Sequence, residues 1–389
     1  MQHHLPLFTG PYAPGITDVM LDYSDKSPFI RLYYPSEEEL DANKQSDKWI
    51  PWMPDDSYLE GMAKVLMLYK IFLKIAFWWS KNVKIPAMYG TRPKSTLGPL
   101  KCILMSHGLG GCRFLYTNIC CELASRGFLV AALEHRDRSA CHTFYYKTKA
   151  DALKDIRSSI EFLHVNFGKN HYTKRNEQLK DRATECKEVM KFLKDLNEGI
   201  VPNNVMDETP LHKTSPINFK LNQLVGMLDL DNIVMMGHSF GAATALYTLS
   251  QHLEFKLGVL LDPWMFPVKN EQLESTITQP LLFVNTQTFH IEANIQSMSK
   301  LMDAKKEHQM FTIKHTTHEN QTDTVLLVGY WLNWFMKKIN PLKALKINNS
   351  LILKFFKDHL KYPENISDCL EILNKEVDNI ELGLTKPWA

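Results

Sequence analysis

Residues 233 to 244, IVMMGHSFGAAT, run from an apolar stretch through Gly237-His238-Ser239-Phe240-Gly241 into a series of small residues. A strand that turns sharply into a helix leaves few folds open, because the helix must pack back on the sheet it has just left. Two glycines flanking a serine coincide by chance often enough that the pentapeptide alone decides little. Its flanks decide. NIVMM before it reads as a buried strand, and FGAATALYTLSQHL after it reads as a helix whose first turn is small enough for close packing. The alternative for Ser239 is an ordinary helix N-cap.

The same alternation continues on both sides. KCILM (101 to 105) and FLVAAL (128 to 133) are predicted strands with a helix at about 115 to 126 between them. KLGVLL (256 to 261), PLLFVN (280 to 285) and FTIK (311 to 314) follow the elbow, with helices expected at about 292 to 303 and 322 to 338. Strands alternating with helices at this spacing imply an α/β protein with a mostly parallel central sheet and helices on both faces. Toward the N-terminus FIRLYYP (29 to 35) is a predicted strand within much loop. Residues 148 to 200 are polar and helical in pattern. The reading is one catalytic domain over 1 to 389, with an N-terminal extension (1 to 60), a helical segment (62 to 81) and a surface insertion (201 to 225).

A strand-turn-helix serine becomes a nucleophile only with a base, an acid and oxyanion donors. The order Ser, acid, His is that of an α/β-hydrolase fold. Asp262 ends a buried strand, where a carboxylate needs a partner such as an imidazole N–H. The next strand ends VNTQ and offers no acid at its tip, so Asp262 is the expected acid; its alternative is a cap on the Pro263-Trp264 turn. For the base, KHTTHENQTD offers His315 and His318. His318 lies in the loop before a helix and is favoured, while His315 sits almost on the strand. The oxyanion donors expected are the backbone N–H groups of Phe240, after the nucleophile, and of Leu109, in the HGLGG loop after the early strand. His107 is read as ordering that loop; His135, His142 and His290 are read as structural.

Composition excludes several classes. The formal net charge is +2 over 389 residues, so no broad field for nucleic acid is present. Seven cysteines occur without a CxxC pair or Cys/His cluster, which argues against a structural metal and for reduced, buried thiols. No cofactor is indicated. MQHHLPLFTGPYAPG has no basic segment followed by an apolar core, and Gln2 does not suit N-myristoylation. A cytoplasmic protein, peripheral on membranes at most, is expected. The sequons at Asn320, Asn348 and Asn365 are read as chance matches.

With these residues assembled, the chain resembles the single-chain intracellular and plasma platelet-activating factor acetylhydrolases. The resemblance is carried by TGP (9 to 11), DVM (18 to 20), SHGLG (106 to 110), LASRGF (123 to 128), EHRDRSA (134 to 140), RNEQ (175 to 178), GHSFGAAT (237 to 244), LDPWMFP (261 to 267) and FFKDHL (355 to 360). It spans nearly the whole chain and is weakest at 36 to 60 and 201 to 225. The family's nucleophile, acid and base fall on Ser239, Asp262 and His318, and its oxyanion donors on Leu109 and Phe240. Ala242 and Pro263 depart from the usual glycine and alanine. The resemblance implies calcium-independent hydrolysis of short or oxidised sn-2 acyl chains from phospholipids. A broad cytosolic carboxylesterase or transacetylase would use the same triad; a silent lipid-binding protein would not need it.

MAKVLMLYKIFLKIAFWW (62 to 79) is the most apolar window, yet Lys64, Lys70 and Lys74 interrupt it too often for a membrane span. On one helix, Lys70, Lys74 and Lys81 form a basic stripe beside a face that includes Phe72, Ile75 and Trp79. Two readings stay open on these residues: a helix lying in a lipid interface, or one packed on the domain with its lysines in water. The resembled family docks on lipid through a helix in this region, which favours the first.

Overall fold

The core strands form where apolar residues run without interruption. In the computed structural model, which describes residues 4–39, 46–78, 80, 82–210, 217–289, 291–302, 307–329 and 337–384, the chain divides into two compact units. One comprises Met1–Asn166 and Thr184–Leu230, the other Phe167–Ala183 and Asp231–Ala389.

In the first unit β1 (Pro14–Met20) and β2 (Phe29–Pro35) form an antiparallel pair in which every residue is buried. α1 (Asp56–Val65), α2 (Lys70–Ala76) and β3 (Met88–Tyr89) follow, then β4 (Leu100–Ser106), α3 (Thr117–Ser125) and β5 (Phe128–Glu134). β4 and β5 are parallel, joined through α3, all nine residues of which are buried. The strand order is β4-β5-β2-β1-β3. β6 (His142–Tyr145), α4 (Lys149–Leu153) and β7 (Ser158–Glu161) add a separate two-stranded ribbon. Beneath this sheet lies a buried ionic network. Arg31 grips Asp18 with two hydrogen bonds of 2.7 and 2.8 Å, and Arg113 bridges Asp18 (3.0 Å) and Glu134 (2.7 Å). Burial alone would raise the Asp18 carboxyl; Arg113 and Arg31 instead hold it well below the usual carboxylate range.

Three expectations are corrected here. Residues 1 to 60 are no mere extension, since β1 and β2 are fully buried strands paired into the sheet beside β5. Residues 201 to 225 are only partly a surface insertion. Val205 and Met206 join Met20, Phe29, Phe144 and Tyr146 in one apolar cluster, and Asn204 accepts from the Met20 N–H and donates to the Asp18 carbonyl. The 62 to 79 window is not one helix: α1 stops at Val65 and α2 starts at Lys70, with Met67 between them at φ 55°. Trp79 and Lys81 lie outside the described residues. Among the described residues, no helix is long and apolar enough to cross a membrane.

α5 (His171–Asn197) starts in the second unit and ends in the first, and β8 (Leu228–His238) enters the second, in which α6 (Phe240–Gln251), β9 (Leu257–Leu261), α7 (Leu273–Thr276), β10 (Leu281–Thr286), α8 (Glu292–Leu301) and β11 (Gln309–Ile313) follow. β8 through β11 are parallel neighbours. Their registers place the site. His238 pairs with Leu261, so Ser239 and Asp262 are the next residues beyond the same carboxyl end; Leu261 pairs with Val284, and Thr286 with Ile313. Ligands bind α/β sheets beyond these ends. β11 is not the last strand as expected: β12 (Ile380–Leu382) adds antiparallel to its edge. The closing helix expected at 322 to 338 is shorter, α9 (Thr324–Val328), stopped at Gly329; 330 to 336 lie outside the described residues. α10 (Pro341–Leu360) and α11 (Ser367–Lys375) complete the unit.

Candidate active site

Ser239 stands between β8 and α6 with φ 57° and ψ −117°. A non-glycine residue at positive φ is strained by about 1–3 kcal/mol and persists only where its surroundings fix it. Here the Ser239 N–H donates to the Leu261 carbonyl at 2.9 Å, and its carbonyl accepts from the Trp264 N–H at 3.1 Å. The turn requires glycine at 237, because a Cβ there would lie 2.1 Å from the Gly241 carbonyl oxygen. Ser239 occupies the N-cap position of α6, but its hydroxyl makes no capping hydrogen bond. The N-cap alternative therefore does not describe what the side chain does.

Asp262 leaves β9 at φ 46°, a backbone region that aspartate tolerates better than most residues. Both its carboxylate oxygens are engaged. Oδ1 accepts from the Thr286 N–H at 2.7 Å; Oδ2 accepts from the Thr286 hydroxyl and faces His318 Nδ1 at 2.8 Å. Of the predicted residues, Asp262 and His318 are thus brought together directly. Ser239 is fastened to the backbone on either side of Asp262. Among the described residues no hydrogen bond joins the Ser239 hydroxyl to His318; such bonds often tighten only when substrate is bound. His315 is placed elsewhere. Its N–H donates to Gln287 Oε1 at 2.6 Å, and Lys337 and Lys314 lie near its ring.

The His318 ring is sandwiched. Phe289 stacks on one side at 3.8 Å between centroids and His238 lies on the other at 4.4 Å. The side chain keeps 25% of its exposure while that of Asp262 keeps 2%. Desolvation holds the imidazole below its ordinary 6.5 against the raising influence of Glu319, so the ring is neutral at pH 7. With Nδ1–H given to Asp262, Nε2 carries the lone pair. A neutral imidazole oriented by a carboxylate is what a general base requires.

Phe240 opens α6, and the first N–H of a helix has no acceptor within it. Its ring is fully buried between Trp264 (5.6 Å) and the Arg182 guanidinium (4.3 Å), which fixes the amide beside Ser239. Leu109 lies in the first unit, in the loop after β4. In that loop the Gly108 N–H donates to the Tyr116 hydroxyl (2.9 Å), Gly110 to the Ser139 carbonyl (2.7 Å) and Gly111 to the Gly108 carbonyl (3.0 Å). Leu109 is the exception: among the described residues its N–H has no acceptor.

His238, Asp262 and His318 place potential ligand atoms within 4.8 Å of one another. Hydrogen bonding and ring stacking account for that grouping, since Asp262 is already engaged by Thr286 and His318 and the two imidazoles lie over one another. All seven cysteines are buried thiols outside any disulfide. Asn320 and Asn348 are buried at 2% and 1% exposure, so those two sequons present no acceptor at the surface. His290 lies outside the described residues.

Three residues of this site were not visible in the sequence. Thr286, Phe289 and His238 serve Asp262 and His318, and nothing in their local pattern announces it. The one available signal was the missing acid at the β10 tip, which leaves that tip free to hold the acid and base of others.

Comparison with known proteins agrees with this architecture. Residues 1–379 match the family described as platelet-activating factor acetylhydrolase, isoform II. Platelet-activating factor acetylhydrolase of Cavia porcellus is 33% identical over 386 residues, covering 98% of this chain and 84% of its own length. That of Bos taurus is 34% identical over 386 residues, covering 98% and 83%. Among solved structures, a ferulic acid esterase from Streptomyces cinnamoneus superposes with a TM-score of 0.62 at 16% identity, covering 98% of this chain and 99% of that one. The shared architecture is the α/β-hydrolase fold.

Proposed function

The chain belongs to the platelet-activating factor acetylhydrolase, isoform II family and is a hydrolase acting on phospholipid esters; we propose that it removes the sn-2 acetyl, or a short or oxidised acyl group, from platelet-activating factor and related phospholipids without calcium. Ser239 attacks the sn-2 carbonyl while His318 Nε2 takes its proton. Asp262 orients His318 and stabilises the imidazolium that forms. The Leu109 and Phe240 N–H groups hold the oxyanion. The lysophospholipid alkoxide leaves with the proton from His318, and water, activated by the same imidazole, then releases the free acid from Ser239.

The observation that carries this reading is the 2.8 Å bond between His318 Nδ1 and Asp262 at the strand ends from which Ser239 also emerges. No step calls for a metal, because charge develops against backbone N–H groups and an imidazole–carboxylate pair. The test is turnover of sn-2 acetyl, oxidised short-chain and long-chain phospholipids by the pure protein, with and without EDTA. Fast release of short acyl groups that survives EDTA is expected; a preference for long chains, or loss of activity in EDTA, would overturn the substrate or the calcium assignment.

Lipid contact is peripheral in this reading. Leu66, Met67, Leu68, Tyr69, Phe72 and Trp78 are exposed around the break between α1 and α2. Such a cluster exceeds the scattered apolar residues of an ordinary surface and suits insertion at a lipid interface. Seven buried thiols outside any disulfide suit a reducing, cytoplasmic setting.

A further inference from the structure

The loop that bears Leu109 is held by a side chain with no assigned part in the chemistry. His107 is 1% exposed. Its Nε2 accepts the backbone N–H of His135 at 3.1 Å, so the ring proton of the neutral imidazole is on Nδ1. That Nδ1 lies 2.7 Å from the carbonyl oxygen of Gly108 and donates to it. The Gly108 carbonyl and the Leu109 N–H belong to one rigid trans peptide, in which C=O and N–H point in opposite directions. Whatever fixes the first aims the second.

We propose that His107 is a positioning residue that, by holding the Gly108 carbonyl, fixes the direction of the Leu109 N–H, the donor assigned to the oxyanion in the proposed mechanism. This rests on the reading of Leu109 as an oxyanion donor.

The surroundings are built for that task. His135, whose N–H sets the His107 tautomer, is itself held at both ring nitrogens, by Ser106 Oγ at 2.7 Å and by the Glu185 carboxylate. The two imidazole rings lie 4.9 Å apart. The Gly111 N–H makes a second bond to the Gly108 carbonyl, and a Cβ at Gly111 would come within 3.1 Å of the His107 Cβ, so the turn closes directly on the imidazole. The Gly108 N–H is taken by the Tyr116 hydroxyl on the other side of the turn. An oxyanion hole works because its donors need no reorganisation as charge develops, and a peptide free to rock would lose part of that advantage. Because Gly111 still holds the carbonyl when His107 is gone, the loss should fall short of removing the donor.

The experiment uses the full chain and a soluble acetyl ester. An asparagine side chain can place its amide nitrogen near the position of Nδ1, whereas glutamine places it near Nε2 and leucine has no donor. His107→Leu and His107→Gln should lower kcat about tenfold to a hundredfold, short of the roughly 10²–10³ that follows loss of an oxyanion donor. KM should stay within about twofold, since the interaction matters only in the transition state. Binding of a trifluoromethyl ketone, which forms a charged adduct on the serine, should weaken by the same factor as kcat. His107→Asn should regain most of both. Wild-type kcat in a folded leucine or glutamine variant overturns the proposal, as does a loss of kcat that follows Tm with asparagine no better than glutamine. If the leucine variant does not fold, the asparagine–glutamine comparison decides. Replacing Leu109 by its α-hydroxy analogue removes the N–H alone. If that leaves kcat unchanged, the Leu109 reading fails and this proposal with it; if it lowers kcat while His107→Gln does not, only the role of His107 fails.

Discussion

Asp262 Oδ2 faces His318 Nδ1 at 2.8 Å and also accepts the Thr286 hydroxyl, so one carboxylate oxygen joins the β10 tip to the loop after β11. His315, three residues before His318, instead donates its backbone N–H to Gln287 Oε1, just beyond β10. His318→Gln should therefore reduce hydrolysis of a soluble acetyl ester by a factor on the order of 10³ or more, at every pH. His315→Gln should leave most of the rate. Activity surviving in the first variant and lost in the second would assign the base to the wrong histidine.

Ser239 sits at positive φ with a hydroxyl that caps nothing. Ser239→Ala should abolish turnover by a factor on the order of 10³ or more without lowering stability, because no described hydrogen bond of the hydroxyl is lost. A fluorophosphonate should label the wild type once, on Ser239. A label mapping to another residue would remove Ser239 from the mechanism.

Protonation gives a separate check on the sandwiched imidazole. Folding holds His318 below 6.5, so the unfolded chain takes up the proton first as pH falls. The stability gained by keeping the ring neutral is fully present above 6.5 and is lost as pH falls from 6.5 toward the folded value. His238, buried against it, shifts in the same direction. The acid limb of kcat/KM, read on a soluble ester, should fall below 6.5 and move upward when Phe289→Ala admits water to the ring. A wild-type limb above 6.5 would contradict the desolvated base.

Which parts of this were legible follows from physical range. The elbow was, because strand, turn and helix chemistry all lie within a dozen residues and only glycine fits at 237. That Asp262 meets an imidazole was, because an acid ending an apolar run needs a partner. β1 was not: Pro14-Gly15 reads as a turn, although proline is tolerated at the first position of a strand. Nor was the break at Leu66–Tyr69, where no glycine or proline marks the chain and Met67 takes a positive φ. β12 is three residues long and exists only because β11 offers an edge. Thr286, Phe289 and His238 act across the sheet ends, where sequence separation hides their common purpose.

The Asp18–Arg31–Arg113–Glu134 network makes a prediction about stability. Arg113→Leu leaves the Asp18 and Glu134 carboxylates buried with one partner removed from each, and Arg113 also covers the Phe29 ring at 4.1 Å. A loss of about 3–5 kcal/mol is expected, measurable as a lower urea midpoint. Unchanged stability would mean that water enters the network freely. The loss should exceed that of Lys64→Ala, whose ion pair with Glu161 is exposed and worth at most about 1 kcal/mol.

The break between α1 and α2 changes what lipid docking should look like. A single helix would have laid a continuous lysine stripe beside one apolar face. The structure instead pairs Lys70 with Glu60 at 3.3 Å and Lys74 with Asp56 at 3.6 Å, while the exposed apolar residues cluster at the corner and along α2. With both lysines facing acidic partners, attraction to anionic lipid should be modest, and binding should rest on apolar insertion. Phe72 and Trp78 are both exposed, so changing them to serine costs little core packing. The double variant should sediment poorly with vesicles and hydrolyse vesicle-borne phospholipid slowly, yet turn over a soluble acetyl ester near the wild-type rate. Raising salt should weaken vesicle binding of the wild type far less than the two substitutions do. If both substrates fail and Tm falls, these residues support the fold; if salt alone releases the protein, the lysines carry the contact and the apolar corner does not.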